Sequence, residues 1–266
     1  MYKVVISDLD GTLLNNQHQV SPHTRKVLKK MVAEGTKFVV ATGRHHIDVK
    51  AIRNALGLDI YLITSNGAVV TDKQDQIIYN RTLPVDIAQE LSELPLPDPE
   101  IAVNLYTPEA WFTNKDMPEY LEYHKDTGFC YTKTDLVTLD KSSINKYFFT
   151  AEHEPLLELE NTLLERYAGQ LSIAFSQPDC LEVMALGVNK GAAISSILEQ
   201  HDIPLSSAIA FGDGMNDYEM LSIVGHGVVM GNAHDRLKLA LPDLPRAGVN
   251  DEDGVAEYLQ RLLLAE

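Results

Sequence analysis

Two carboxylates, Asp8 and Asp10, follow the apolar run Val4-Val5-Ile6 near the start of the chain. A β-branched run is typical of a strand buried on both faces, and Gly11 permits the sharp turn that ends it. Because side chains alternate along a strand, Asp8 and Asp10 start on the same side and can converge on one ligand. At such a short distance two like charges repel each other, unless a cation separates them or one carboxyl is protonated. The pair predicts a site for a hard divalent cation or a general acid.

The same four residues, Asp-x-Asp-Gly, also suit a polar turn that simply closes a strand, because Asp and Gly dominate turns. The elements that follow decide between these interpretations. Strand, helix, strand, helix and strand alternate up to about residue 64, and each predicted strand ends in small or polar residues, among them Thr42-Gly43-Arg44 and Ser65-Asn66-Gly67. This alternation is typical of a parallel sheet with right-handed crossovers, which binds ligands at the carboxyl ends of its strands.

The pattern changes after Asn66. A hairpin is predicted across residues 69–78, and from residue 84 to residue 187 adjacent strand pairs mix with helices, including a helix over Pro118 to Thr127. This order indicates an α+β module inserted into an α/β chain. We therefore predict a core from residues 1–83 and 188–266, with an α+β cap from residues 84–187.

The first pattern returns after Gly187. Lys190-Gly191 opens a helix, and an apolar strand over Ser207 to Phe211 ends in Gly212-Asp213-Gly214-Met215-Asn216-Asp217. Pro242 and Pro245 stand where a further strand would be expected, so that segment is predicted to be at most an edge strand or a loop.

Composition narrows the class of protein. The chain has 266 residues and a formal net charge of −16, which disfavours nucleic acid and anionic membranes as partners. Cys130 and Cys180 are far apart, so a disulfide framework is not expected. No apolar run approaches the ~18 residues that span a bilayer, and an acidic pair stands where a signal peptide would be apolar. We expect a cytoplasmic protein.

The strand ends and helix starts together supply what phosphoryl transfer needs. Asp8 offers a nucleophile, Asp10 a carboxyl for proton transfer, and Lys190 a cation. Thr42 and Gly43 offer a hydroxyl and backbone amides for phosphate oxygens, and Asp213 offers another oxygen ligand for a metal ion. Each part alone has an ordinary structural explanation as a turn, a helix cap or a solvated side chain. Their order and their equivalent positions favour catalysis.

These segments resemble the four motifs of the haloacid dehalogenase-like hydrolase superfamily, in that superfamily's order. The motifs are Asp8-Leu9-Asp10-Gly11-Thr12, Thr42-Gly43-Arg44, Lys190-Gly191 and Gly212-Asp213-Gly214-Met215-Asn216-Asp217. The insert of about 100 residues, Ser65-Asn66-Gly67-Ala68 and Asn250-Asp251-Glu252-Asp253-Gly254-Val255 resemble the Cof-type subfamily, class IIB. Residues 41–49 and 180–185 look most similar to bacterial pyridoxal phosphate and sugar phosphatases.

The resemblance implies a Rossmann-like parallel sheet with an α+β cap over its strand ends, and a Mg²⁺-dependent phosphatase. Asp8 would form an aspartyl-phosphate, and Asp10 would act as general acid and then as general base. The metal would be held by the carboxylates of Asp8 and Asp213 and the carbonyl of Asp10. Phosphate oxygens would be held by Thr42, Gly43, Lys190, Asn216 and the Leu9 amide, and Asp217 would orient Lys190 or a metal-bound water.

The substrate is expected to be a small phosphorylated metabolite, such as pyridoxal phosphate or a sugar phosphate. Arg44 and His46 are possible substrate contacts at the mouth of the site. Two alternatives stay open, a phosphomutase built on the same motifs and a phospho-ligand-binding regulator that has lost catalysis.

Overall fold

The computed structural model describes residues 2–118, 120, 124 and 127–264. The strands are β1 (Val4–Ser7), β2 (Lys37–Ala41), β3 (Tyr61–Thr64), β4 (Val69–Thr71), β5 (Ile77–Asn80), β6 (Ala102–Tyr106), β7 (Trp111–Thr113), β8 (Tyr131–Lys133), β9 (Lys146–Thr150), β10 (Leu171–Gln177), β11 (Cys180–Ala185), β12 (Ala208–Gly212) and β13 (His226–Val229). The helices are α1 (Pro22–Ala33), α2 (His46–Leu56), α3 (Val85–Ser92), α4 (His153–Arg166), α5 (Lys190–Gln200), α6 (Tyr218–Ile223), α7 (Asp235–Ala240) and α8 (Gly254–Leu264).

The first sheet has the order β13-β12-β1-β2-β3-β4-β5. The pairs from β13 to β3 are parallel, and β4 and β5 add an antiparallel edge. Strand β1 is the middle one of the five parallel strands, with all its residues buried, and Ser7 at its end pairs with Val40 of β2 and Phe211 of β12. Because these strands are parallel and in this register, the segments after β1, β2 and β12 emerge at the same edge.

Local sequence signals set the helices that flank this sheet. The Ser21 hydroxyl caps α1 by accepting a hydrogen bond from the amide of Thr24 at 3.0 Å, and Pro22 occupies the first helical position. Gly57 ends α2 in the left-handed conformation with φ of 65°. Helix α1 packs on α8, and α5 packs on α6.

The second sheet has the order β10-β11-β9-β6-β7-β8. All its pairs are antiparallel except β7 with β8. Helix α4 packs on β11 and buries Leu156, Leu159 and Leu163 in the same cluster as Tyr147 and Phe149 of β9. The apolar residues of this sheet form their own core, separate from that of the parallel sheet.

The predicted fold class, a parallel-sheet core with an inserted α+β cap, is confirmed. The strands of the first sheet fall within residues 1–83 and 188–266, and those of the second within 84–187, while the domain boundaries themselves stay a prediction. Strand β8 was not predicted, because it is only three residues long and largely exposed. The helix predicted over Pro118 to Thr127 lies largely outside the described residues.

The segment from Pro242 to Pro245 forms a loop, as one of the two predicted outcomes. It contacts β13 through a single parallel bridge between Val229 and Arg246, in which the Val229 amide donates to the Pro245 carbonyl at 3.0 Å. The prolines lack the N–H groups that would extend this bridge into a ladder.

No helix within the described ranges is both long enough and apolar enough to cross a membrane.

Candidate active site

The turn after β1 holds both acidic residues of the first motif. Strand β1 ends at Ser7, and Gly11 takes a left-handed backbone with φ of 70°. A Cβ on Gly11 would overlap Oδ2 of Asp213 and lie 2.8 Å from its Cγ. Glycine is therefore required here twice, once by the backbone conformation and once by the close approach of Asp213.

The carboxylates of Asp8 and Asp10 have different hydrogen-bond partners, and their convergence on one ligand stays a prediction. The strand ends before both residues, so the turn rather than the pleat directs their side chains. The Asp8 carboxylate contacts Lys190, whereas both oxygens of Asp10 accept hydrogen bonds from Arg44, at 2.7 Å from Nε and 2.6 Å from Nη2. Asp10 also has His18 Nδ1 at 3.7 Å from Oδ1.

Lys190 joins the first and last motifs. It is the first residue of α5, fully buried, and its Nζ lies 2.8 Å from Oδ1 of Asp8 and 2.6 Å from Oδ1 of Asp217. Burial opposes a charged amine, yet the carboxylates of Asp217 and Asp8 raise the pKa of Lys190 above its ordinary value. Lys190 is thus held as a cation beside Asp8.

Asp217 holds the fourth motif in shape. Its Oδ2 accepts hydrogen bonds from the backbone amides of Asp213, at 2.8 Å, and Gly214, at 3.0 Å. Its Oδ1 contacts Lys190, so this fully buried carboxylate has a donor on each oxygen. Asp217 therefore links Lys190 to the backbone of the fourth motif, and its role in orienting Lys190 or a metal-bound water stays a prediction.

Asp8, Asp213 and Asp217 each bring one carboxylate oxygen within 4.8 Å of the others. Burial raises the pKa of Asp8 well above its usual value, Lys190 opposes this shift, and Asp217 and Asp213 add to it. Burial and then the charge of Asp217 raise the pKa of Asp213 to about 7, while a hydrogen bond from the Thr12 hydroxyl at 2.7 Å opposes the shift. Crowded carboxylates of this kind fit a hard divalent cation, which prefers oxygen ligands and relieves their repulsion.

The other predicted phosphate-binding residues lie in the turns after β1 and β2 and in the fourth motif. Thr42 is buried, and its hydroxyl accepts a hydrogen bond from the Arg44 amide at 3.1 Å. The side-chain amide of Asn216 donates to Oδ1 of Asn66 at 3.1 Å, and the backbone amide of Asn66 donates to the Thr42 carbonyl at 3.0 Å. Leu9 is buried in the turn between the two acidic residues. The second and fourth motifs therefore meet through Asn66.

Arg44 and His46, predicted as possible contacts at the mouth of the site, have partners of other kinds. Arg44 is buried, and in addition to Asp10 its Nη1 donates to Asp48 at 3.0 Å. His46 Nε2 lies 2.7 Å from the carbonyl of Pro108, a residue of the loop between β6 and β7. Both residues tie elements of the structure together, and a substrate contact by either one stays a prediction.

Residues absent from the predicted site also lie in it. Thr12 contacts Asp213, and Asn66 contacts Asn216, although both belong to segments that the motifs already marked. Lys146 and Glu182 reach the site from the second sheet. No spacing in the sequence brings Lys146 to Gly43, since the two residues meet only because the second sheet packs on the first.

Comparisons with known proteins agree with this arrangement. A sequence profile of haloacid dehalogenase-like hydrolases matches residues 5–259. An HMP-PP phosphatase of Serratia proteamaculans is 40% identical over 264 residues, covering 99% of this chain and 96% of that protein. An HMP-PP phosphatase of Yersinia pestis (strain Pestoides F) is 38% identical over 263 residues, covering 99% of this chain and 96% of that protein.

Solved structures share the fold. A haloacid dehalogenase-like hydrolase of B. subtilis superposes with a TM-score of 0.85 at 28% identity, covering 98% of this chain and 99% of that one. A sugar phosphatase of haloacid dehalogenase subclass IIB superposes with a TM-score of 0.83 at 21% identity, with the same coverage, and supports the fold alone. With four motifs in order, a core and cap of this topology, and a profile match along nearly its whole length, the chain belongs to the haloacid dehalogenase-like hydrolase family.

Proposed function

We propose that this protein is a Mg²⁺-dependent phosphatase that hydrolyses small phosphorylated metabolites through an aspartyl-phosphate on Asp8. The observation that carries the proposal is the buried contact of Lys190 with Asp8 and Asp217, at 2.8 and 2.6 Å, within the same cluster as Asp213. A nucleophilic carboxylate, a fixed cation and a set of oxygen ligands are the parts that phosphoryl transfer requires.

The carboxylates of Asp8 and Asp213, with the backbone carbonyl of Asp10, would hold Mg²⁺, and Asp217 would support them. The three side-chain donors in the cluster are all oxygen, which suits this ion. When bound, Mg²⁺ supplies positive charge beside the phosphate oxygens and reduces the repulsion between the phosphate and the Asp8 carboxylate.

Binding of the phosphate would rest on residues of three motifs. The Thr42 hydroxyl, the Gly43 amide, the Lys190 amine, the Asn216 amide and the Leu9 backbone amide would donate to its oxygens. These donors are fixed by the sheet edge and by buried hydrogen bonds, so little reorganisation is needed as charge develops on the equatorial oxygens.

Asp8 would attack phosphorus as the bond to the leaving oxygen breaks, and Asp10 would give that oxygen a proton. In the second step Asp10 would take a proton from water, the resulting hydroxide would attack phosphorus, and the bond to Asp8 would break. Because Arg44 occupies both Asp10 oxygens here, we expect one of these hydrogen bonds to open when substrate binds.

Three groups of substrate merit the first tests. The relatives named HMP-PP phosphatases favour HMP-PP, whereas the residues of the second motif and of β11 favour pyridoxal 5′-phosphate and hexose phosphates. Nucleic acid is a poor candidate, since the net charge of −16 repels it. We propose a cytoplasmic location, which suits small phosphorylated metabolites.

A direct test is release of p-nitrophenol from p-nitrophenyl phosphate with Mg²⁺, followed by a screen of the three substrate groups named above. Chelation with EDTA is expected to abolish turnover, and readdition of Mg²⁺ to restore it. With a ³²P-labelled substrate, Asp8→Asn is expected to lose the hydroxylamine-labile label. Labelling that persists in Asp8→Asn would place the nucleophile elsewhere, and absence of turnover on every substrate would favour a binding regulator. Transfer of the label to a second sugar hydroxyl would indicate a phosphomutase.

A further inference from the structure

A buried chain of hydrogen bonds joins the second sheet to two of the proposed phosphate-binding residues. Asn216 Nδ2 donates to Oδ1 of Asn66 at 3.1 Å, and Asn66 Nδ2 donates to Oε2 of Glu182. Lys146 Nζ donates to Oε1 of Glu182 and to the carbonyl oxygen of Gly43, each at 2.6 Å. The chain therefore starts at Asn216 in the fourth motif and ends at Gly43 in the second.

Lys146 and Glu182, the two cap residues in this chain of hydrogen bonds, form an ion pair with almost no access to water. The side chains of Lys146 and Glu182 are 3% and 4% exposed, and the Lys146 amine also lies 4.8 Å from the ring centre of Tyr106 and 4.9 Å from that of Phe148. Taking two charges out of water costs several kcal/mol per ion, so the burial of this pair is weak evidence that it stabilises the fold. A pair held in this way, against the backbone of the second motif, points to a role in the site.

Asn66 is fixed between its two partners. Ser65 and Asn66 both have a left-handed backbone, with φ of 48° and 55°, which is uncommon for residues other than glycine. Their amides donate to the carbonyls of Arg44 at 2.9 Å and Thr42 at 3.0 Å. A Cβ on Gly43 would lie 3.0 Å from Oε1 of Glu182, so the carboxylate packs directly on the turn of the second motif.

The chain also fixes which way each amide points. A carboxylate only accepts hydrogen bonds, so the group of Asn66 that faces Glu182 must be its NH₂. Its oxygen must then face Asn216, and Asn216 must offer its own NH₂ to that oxygen. The Asn216 NH₂ has a second hydrogen, and this is the one that the proposed contact with a phosphate oxygen would use.

We infer that Glu182, with Lys146, is a positioning residue that sets the donor orientation of Asn216 through Asn66 and holds the Gly43 peptide. The inference rests on the proposed function, because it assigns phosphate binding to Asn216 and Gly43. It gives the cap a part in building the phosphate site itself, since two of the linked side chains lie on β9 and β11. The phosphate site is then complete only when the cap packs on the core.

The substitution Glu182→Gln tests the orientation argument because it keeps the shape and changes one acceptor into a donor. Lys146 only donates, so the Gln oxygen is expected to face Lys146 and the Gln NH₂ to face Asn66. Asn66 then has to turn its oxygen toward residue 182 and its NH₂ toward Asn216, whose amide turns in response. We expect the affinity for inorganic phosphate, measured calorimetrically with Mg²⁺ present, to fall by roughly 3- to 10-fold.

A readout without turnover or metal separates this inference from the proposed function. The side-chain NH₂ resonances of Asn66 and Asn216, assigned by ¹⁵N NMR, are expected to shift in Glu182→Gln, although Asn216 does not contact residue 182. The control Asp116→Asn alters an exposed ion pair with Lys133 in the same part of the chain and is expected to leave both resonances and phosphate affinity unchanged. Asn66→Gly suits the left-handed backbone and breaks the chain of hydrogen bonds between Glu182 and Asn216. It is expected to weaken phosphate binding as much as Glu182→Gln does.

Removal of Lys146 gives the sharpest result. In a Lys146→Met background the Gln oxygen is free to face Asn66, so Glu182→Gln is expected to change phosphate affinity less than about 2-fold there. Equal effects of Glu182→Gln in both backgrounds, or unshifted Asn216 resonances, would overturn the inference that Glu182 orients Asn216 through Asn66. Unchanged phosphate affinity with an altered ranking of substrates would make Glu182 a substrate contact instead. If the wild type turns over no phosphate ester, the proposed function fails, while the NMR comparison still tests whether Glu182 sets the orientation of Asn216 through Asn66.

Discussion

Asp217→Asn is the most demanding test of the active-site geometry, because the carboxylate that it removes has no exposed surface. Asp217 accepts hydrogen bonds from three donors, Lys190 Nζ at 2.6 Å and the backbone amides of Asp213 at 2.8 Å and Gly214 at 3.0 Å. An Asn side chain has one oxygen in place of two. At least one buried donor then faces the new NH₂ group and loses its partner.

The size of the effect follows from these contacts. An unsatisfied buried donor costs about 1–3 kcal/mol, and a buried ion pair broken on one side costs about 3–5 kcal/mol. Asp8 remains 2.8 Å from the Lys190 amine, and loss of one negative charge relieves repulsion on Asp8 and Asp213, which offsets part of this cost. We therefore expect the free energy of unfolding of the metal-free protein to fall by about 2–4 kcal/mol.

Urea denaturation followed by far-UV circular dichroism measures this difference. Asp235→Asn is the matched control, because that carboxylate is 91% exposed and lies 3.9 Å from Lys238 at the surface. An exposed pair of this kind contributes little, so no measurable change is expected. A loss below about 1 kcal/mol for Asp217→Asn would show that the three contacts do not act together, and would refute the assignment of Asp217 as the residue that holds Lys190.

Three further predictions test other parts of the site. Asp10→Asn is expected to keep Mg²⁺ and phosphate binding, measured by calorimetry, and to lose turnover of alkyl phosphates, because the leaving alkoxide needs a proton; near-normal turnover would contradict the role of Asp10. The pKa of Asp213 is raised to about 7 in the folded protein from a reference value of 3.8, so the folded state keeps the Asp213 proton to a higher pH than the unfolded state does. The stabilisation that this proton gives to the folded state is lost as pH rises from about 4 to about 7. Relative to Asp213→Asn, the metal-free wild type should therefore lose unfolding free energy over that range, and a flat difference would exclude the shift. Gly11→Ala is expected to destabilise more than Gly35→Ala and to abolish turnover, because both glycines are left-handed but only a Cβ at Gly11 meets Asp213; equal melting temperatures would argue against that close approach.

Much of the fold could be predicted from the sequence because it depends on local patterns. The β-branched run before Asp8 and the Ser21-Pro22 cap specify a strand and a helix from neighbouring residues alone. The alternation of strands and helices then requires a parallel sheet, and a parallel sheet brings its carboxyl ends to one edge. That reasoning placed Asp8, Thr42 and Asp213 at the ends of β1, β2 and β12 without any knowledge of distances.

The direction of individual side chains depended on the tertiary structure. Strand β1 ends at Ser7, and in the turn that follows Asp8 pairs with Lys190 whereas Asp10 pairs with Arg44. The carboxylate cluster contains Asp217, whose partner Lys190 is 27 positions away. Alternation along a strand carries no information about a turn, and spacing carries none about ion pairs between distant segments.

The contacts between the two sheets were the least predictable from the sequence. Glu182 meets Asn66 over 116 positions and Lys146 meets Gly43 over 103, and these meetings require the packed cap. The sequence by itself determined which strand ends carry chemistry, because strand formation and chain direction are local properties. Only the tertiary structure decided which side chains form hydrogen bonds and ion pairs with each other. Those interactions depend on distances of a few ångströms between elements that no local sequence pattern relates.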